Sequence, residues 1–358
     1  MLHYLGQSLA EISGPFRLLT SFLFLASLGG ALGFLLTFGL LPKVWKFLPT
    51  DKGRAFAVDA EQSVGKPISA GVFFIPVIIL LSLLLVPFRV DFLGLLGCVF
   101  IAMIAGFLDD HSENGWSEYR LGALDLGLAF FASWMVFNLQ GSTIWLPLLK
   151  DPVQLPMGLY LLGGTVLIWV SINATNCTDG VDGLSASLSS MGILFLGLIL
   201  YGVVGHLQIS DYLLVPHYPV GADWSIIAFI MVGCLAGYLW HNSFPSNVLM
   251  GDSGSRPVGL VLGALVLASG NPFLIFVVAL VVLLNGATGL IKVALLRFFR
   301  IGIFSEIRYP LHDHVRHKLG WSNTQVLVRF MLLQAVVCLL YTSPSPRDAT
   351  LSRMPSSA

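Results

Sequence analysis

Ten apolar runs govern what this chain can become. They cover residues 18–41, 68–87, 92–108, 121–139, 159–172, 184–204, 225–240, 257–269, 273–296 and 324–340, and a membrane-spanning helix needs about 20 mostly apolar residues. Only 11% of the 358 residues are charged and 56% are hydrophobic, whereas soluble domains carry roughly a quarter charged residues. A soluble protein of this size would have too few charges to keep its surface wet, and the same composition excludes a disordered chain. The expected fold is therefore all-α: a polytopic integral membrane protein of about ten transmembrane helices, one catalytic domain over residues 1–340. Runs 159–172 and 257–269 are short, so neighbouring protein or tilting must bury their ends. The first run reads as a retained helix, because Leu2 to Arg17 is mixed and the run after it is long enough to span. Cys98 and Cys234 fall inside apolar runs and Cys177 in a polar stretch, which suggests buried thiols and no disulfide framework.

If the runs alternate in direction, loops 42–67, 109–120, 173–183, 241–256 and 297–323 emerge on one side. Those loops and the adjoining helix ends hold fourteen of the nineteen Lys and Arg residues, against three on the opposite side and two in the tail. Positive loops stay in the cytoplasm, so this side is expected to be cytoplasmic.

The acidic clusters share that side. Asp109-Asp110 closes the third run, Asn173 to Gly183 (NATNCTDGVDG) follows the fifth, and Met250-Gly251-Asp252-Ser253-Gly254-Ser255 follows the seventh. Loops this far apart in sequence but alike in content point to one site. Asp109-Asp110 alone would equally mark a solvated helix end; with Asp179, Asp182 and Asp252 on the same face the balance moves to chemistry. Adjacent carboxylates at a membrane boundary are costly unless neutralised, and Mg²⁺, which takes few protein ligands and completes its shell with water and phosphate, does this naturally. Gly180, Gly183, Gly251 and Gly254 alternate with the carboxylates and let backbone approach a ligand closely. The last loop of this side carries His312, His314 and His317 with Arg316 and Lys318. That group suits anionic phosphates or a basic lipid-facing patch. Zinc is disfavoured there, since no cysteine accompanies the histidines and the neighbouring cations would repel it.

These motifs, in this order, resemble the polyprenyl-phosphate N-acetylhexosamine-1-phosphate transferases, a superfamily of glycosyltransferase family 4 type, over residues 20 to about 337. Within it the chain is most similar to the phospho-N-acetylmuramoyl-pentapeptide branch. Thr178 before Asp179, the Gly65-Lys66-Pro67-Ile68-Ser69-Ala70-Gly71 run, and Pro310-Leu311-His312 with Gly320-Trp321 carry that likeness. Lys66 and Ile68 stand where the branch has threonines, Leu249 where it often has phenylalanine, and His312-Asp313-His314 where it has three consecutive histidines. The resemblance implies UDP-N-acetylmuramoyl-pentapeptide as donor, undecaprenyl phosphate as acceptor, and lipid I and UMP as products. It also implies membrane lipid as surroundings, no nucleic acid, a homodimer as assembly, and the bacterial inner membrane as location. By the same resemblance Asp109, Asp110 and Asp252 are catalytic and hold Mg²⁺, with Asp109 the choice for any proton acceptor. Asn176, Gly180, Val181 and Asp182 would contact the base, Asn173, Asp179 and Asn242 would support them, and His312 and His314 would grip phosphate.

Two rival readings stand beside this one. An N-acetylglucosamine-1-phosphate transferase of the same fold would release UMP from a different UDP-sugar. A secondary transporter would place charges near the bilayer midplane, and here Asp125, less than one turn inside its run, is the nearest approach to that.

Residues 341–358 are expected to be a non-native tail. The codons of a transposon sequencing adapter spell Cys338 to Asp348, and those of a flow-cell end spell Ser352 to Ala358. Resequencing the source locus is expected to show the apolar run extending past Val337; the same codons, uninterrupted in adapter-free genomic reads, would refute this.

Overall fold

The computed structural model describes residues 1–11, 13–53, 63–113, 115–146, 149, 151–303 and 305–342, and all but the first two residues of the expected tail lie outside them. A short helix α1 (Leu2–Leu9) and a 3-10 turn (Gly14–Thr20) lead into α2 (Phe22–Val44). Then follow α3 (Gly71–Leu85), α4 (Val90–His111) and α5 (Glu118–Gln140). A two-residue antiparallel ladder, β1 (Thr143–Ile144) with β2 (Val153–Gln154), pairs Thr143 with Gln154. After it come α6 (Met157–Thr178), α7 (Leu184–Ile199), α8 (Leu207–Leu213), α9 (Gly221–Asn242) and α10 (Asp252–Ala268). Among the described residues eight helices are long and apolar enough to cross a membrane, so the chain is an all-α, multi-pass membrane protein. The 15-residue α3 and the 17-residue α10 are shorter.

The brevity of α10 has a physical explanation. All 17 of its residues are buried, and α3, α4, α5, α6, α7 and α9 surround it. A helix enclosed by protein touches no hydrocarbon and has no bilayer thickness to match. The other run expected to be short is not: α6 spans 22 residues and carries Asn173, Asn176 and Thr178 in its last turns, where a loop was expected. Asn173 Nδ2 donates to the Trp169 carbonyl and Thr178 Oγ to that of Ala174. These bonds give the polar side chains partners within the helix, and Asn176 finds its own on α10, so none of the three is left unsatisfied in the bundle.

The ninth run, expected as one helix, is broken. It comprises a 3-10 turn (Pro272–Leu274), α11 (Ile275–Val278), α12 (Leu280–Val282), a π-turn (Leu283–Ala287), α13 (Thr288–Ala294) and a second π-turn (Leu295–Phe299). At Ala279 the backbone leaves helical geometry (φ −134°, ψ 21°). Backbone groups freed inside an apolar bundle need partners. Gln334, on the final helix α15 (Asn323–Thr342), supplies them: its Nε2 donates to the Val277 carbonyl at 2.6 Å and its Oε1 accepts the Val281 N–H at 3.0 Å. The last polar loop also differs from expectation, since Leu311–Leu319 forms helix α14.

Replacing Gln334 by leucine leaves the Val281 N–H without its partner and the Val277 carbonyl with only the weak Cys338 thiol donor. Stability is expected to fall by about 2–4 kcal/mol, read as a lower melting temperature in detergent. An unchanged melting temperature would remove Gln334 from this role.

Candidate active site

The site begins at the N-terminus of α10. Gly251, just before it, has φ 69°, and a Cβ there would run into the Asp110 carboxylate, so only glycine fits. Gly106, one turn before Asp110 on α4, lies so close to the α10 backbone that a Cβ would collide with Asp252. This contact puts Asp110 directly over the first turn of α10. Asp110 Oδ1 accepts the Asp252 N–H at 3.0 Å, and Oδ2 accepts the Ser253 N–H at 3.3 Å and the Ser69 hydroxyl at 2.6 Å. The first N–H groups of a helix have no partner within it; here a carboxylate from another helix serves as the cap, and the positive end of the helix dipole favours its charge.

Ser69 belongs to a strap between α2 and α3. The Ile68 N–H bonds to the Pro49 carbonyl, the Asp51 N–H to that of Lys66, and the Ala70 N–H to that of Leu249. The strap is thus sewn to the chain on both sides, bringing Thr50, Asp51, Lys52 and Ile68 together with Asp109, Asp110 and Asp252 around an open cleft of about 150 Å³.

Asp252 is held at both oxygens. Oδ1 accepts Asn176 Nδ2 at 2.8 Å, and Oδ2 accepts Arg256 Nε at 2.8 Å. The same Asn176 amide reaches Ser255 Oγ at 3.0 Å. Asp109 lies beside Asp252, and its Oδ1 accepts the Trp116 N–H. The cleft therefore carries four carboxylates, Asp51, Asp109, Asp110 and Asp252, and one lysine, Lys52. Such an excess of hard oxygen donors suits a divalent cation. Among the described residues no three His, Cys, Asp or Glu side chains converge as a closed metal cage. Asp109 and Asp252 lie side by side and could hold such a cation together, with substrate and water to complete the shell.

The remaining residues expected at the site do not line the cleft and have partners of their own. Asp179 is the C-cap of α6. Val181 is buried, and Gly180 packs against the His312 ring. Asp182 Oδ2 accepts the Ser246 N–H at 3.1 Å, with Lys66 Nζ 3.8 Å away. Asn242 accepts the Gly183 N–H and donates to the Val248 carbonyl, tying two loops together. Asn173 bonds within its own helix, to Trp169. His312 is fixed by Asn285, whose Oδ1 accepts the His312 N–H at 2.8 Å and whose Nδ2 reaches Thr178 Oγ. His314 is engaged elsewhere, its Nδ1 accepting the Arg308 N–H.

Several contributors escaped the sequence reading. Ser69, Lys52, Asn285, Arg256 and Asp125 all touch the site or its supports. An asparagine within an apolar run was the available signal for Asn285, as was the i, i+4 spacing of Asp252 and Arg256. Asp125 is also deeper than expected. With α5 starting at Glu118, it sits about two turns in, fully buried and paired with Arg256.

Known proteins share this pattern along most of the chain. Residues 92–270 match glycosyl transferase family 4. The phospho-N-acetylmuramoyl-pentapeptide-transferase of Treponema pallidum (strain Nichols) is 47% identical over 330 residues, covering 91% of both chains. The protein of the same name from a Nitratiruptor species is 30% identical over 327 residues, 86% of this chain and 90% of its own. That of Campylobacter jejuni (strain RM1221) is 30% identical over 286 residues, 76% of this chain and 79% of its own.

Asp110→Ala should uncap α10 and lower stability by about 1–2 kcal/mol, whereas Asp110→Asn, which keeps an acceptor oxygen, should lose less. Melting temperatures of the two variants in detergent check this; equal losses would argue against the capping role.

Proposed function

This chain belongs to glycosyl transferase family 4, and on that footing we propose that it transfers phospho-N-acetylmuramoyl-pentapeptide from its UDP conjugate to undecaprenyl phosphate. The products are lipid I and UMP, and the step belongs to peptidoglycan synthesis. One observation carries the reading: α4 and α10 bring Asp109, Asp110 and Asp252 to one open cleft at the end of a membrane bundle. A water-soluble nucleotide and a lipid-borne phosphate can meet only at such a boundary. The relatives named above, alike over most of their length, support the same substrates. The bias of Lys and Arg toward the loops on the cleft side supports a cytoplasmic active site in the bacterial inner membrane.

In the reaction an oxygen of the acceptor phosphate attacks the phosphorus next to the sugar. The new P–O bond forms as the bond to the bridging oxygen breaks, and UMP leaves with that oxygen and its electron pair. The acceptor phosphate is already largely ionised near neutral pH, so positioning and charge neutralisation dominate over general-base help. Asp109 and Asp252 would hold Mg²⁺, whose hard-oxygen preference suits this donor set, and it would supply the positive charge that a pyrophosphate donor needs. Asp110 and Ser69 keep the first turn of α10 in place. Asn176 and Arg256 orient Asp252. Gly180, Val181 and Asp182, backed by Asn242 and His312, form the surface for the uridine end.

Detergent-solubilised protein with undecaprenyl phosphate and Mg²⁺ should release UMP from UDP-N-acetylmuramoyl-pentapeptide and not from UDP-N-acetylglucosamine. Asp252→Ala should reduce that rate by about 10³-fold or more while the protein remains folded. Release from UDP-N-acetylglucosamine alone would transfer the assignment to the other branch, and a near-wild-type rate for Asp252→Ala across Mg²⁺ concentrations would sink the site.

A further inference from the structure

One charged group of the bundle interior lies behind the cleft rather than in it. Arg256 sits one turn after Asp252 on α10, and its side chain is only 7% exposed. Its Nε donates to Asp252 Oδ2 at 2.8 Å, and its NH1 donates to Asp125 Oδ2 at 2.5 Å. Asp125 comes from α5, and its side chain is 1% exposed. Its other oxygen, Oδ1, has no hydrogen-bond partner among the described residues. Two carboxylates and a guanidinium at this depth are expensive for stability alone: apolar residues of similar volume often serve as well or better. A guanidinium is, however, a rigid planar fork. With NH1 anchored on α5, the direction of Nε is set, and Nε in turn sets the plane of the Asp252 carboxylate.

We infer that Arg256 and Asp125 are positioning residues, which hold the Asp252 carboxylate in the orientation that phosphoryl transfer requires. The inference rests on the transferase reading given above. Asn176 holds Oδ1 from α6 and Arg256 holds Oδ2 from within α10, so the carboxylate cannot rotate without breaking a bond on one side. The Asp125–Arg256 pair is neutral as a whole. It therefore orients Asp252 without removing the negative charge of the cleft, as a lone arginine would.

The test uses the full-length protein in detergent, comparing Arg256→Gln with the double variant Asp125→Asn/Arg256→Gln. The single change leaves two buried carboxylates unpaired, and its melting temperature should fall. The double change removes the compensating charges together and should recover much of that loss. Both should lower kcat by roughly 100-fold, as misplacement of a reacting group does, with KM for the UDP-sugar within about twofold of wild type. Arg256→Lys keeps a charge between the carboxylates but not the fork; it should stay folded and lose kcat by about tenfold. A double variant as stable as wild type with wild-type kcat would overturn the inference, as would full activity in Arg256→Lys. If wild-type protein releases no UMP from any UDP-sugar, the transferase reading fails, and the inference with it.

Discussion

A helix buried along its whole length cannot send the N–H groups of its first turn to water. α10 is such a helix, and much of the site follows from how that requirement is met. The partner is Asp110, carried on α4 and steadied by Ser69 of the strap before α3. The glycines at 106 and 251 are the steric condition for this contact, since a Cβ at either would strike Asp252 or Asp110. A structural need and a chemical one thus coincide: capping α10 brings the paired aspartates of α4 against Asp252.

The same economy appears at the broken ninth run. Its break at Ala279 exposes backbone groups that Gln334 satisfies from α15. The first π-turn places Asn285 where it can bond both Thr178 of α6 and His312 of α14. π-turns within helices frequently occur at functional sites, because the extra residue redirects a side chain. Here it links the loop after α6 to the histidine helix α14, and Gly180 and the His312 ring pack together.

Charge is distributed in two layers. The cleft itself is lined by four aspartates against one lysine, Lys52. Behind it, Asp125 and Arg256 form a neutral pair that reaches Asp252 from within the bundle. A polar interior of this kind is tolerated in a membrane protein when it faces other helices rather than lipid. It is held by α10, which six other helices surround.

Much of this was legible in the sequence. Hydrophobic run length is a local property, so the all-α membrane class and the approximate position of each span could be read directly. So could the three aspartate-bearing motifs, because paired carboxylates at the ends of apolar runs are rare and costly. The extent of α6 could not: asparagines and threonines read as loop, and only in the fold do they find partners, on Trp169, Ala174 and α10, that let them sit in a helix. Nor could the division of labour among the aspartates, in which Asp110 caps a helix while Asp109 and Asp252 meet in the cleft. Arg256 looked like one more loop cation and Asp125 like a residue near a helix end. Their pairing spans 131 positions, and no local pattern encodes which buried charge will meet which. The sequence by itself determined that the chain enters a membrane and gathers carboxylates at one end of the bundle, because burial and charge cost are properties of each segment. Which carboxylate caps a helix and which is held by an asparagine and an arginine was decided by tertiary packing, because a hydrogen bond depends on where two distant backbones come to lie.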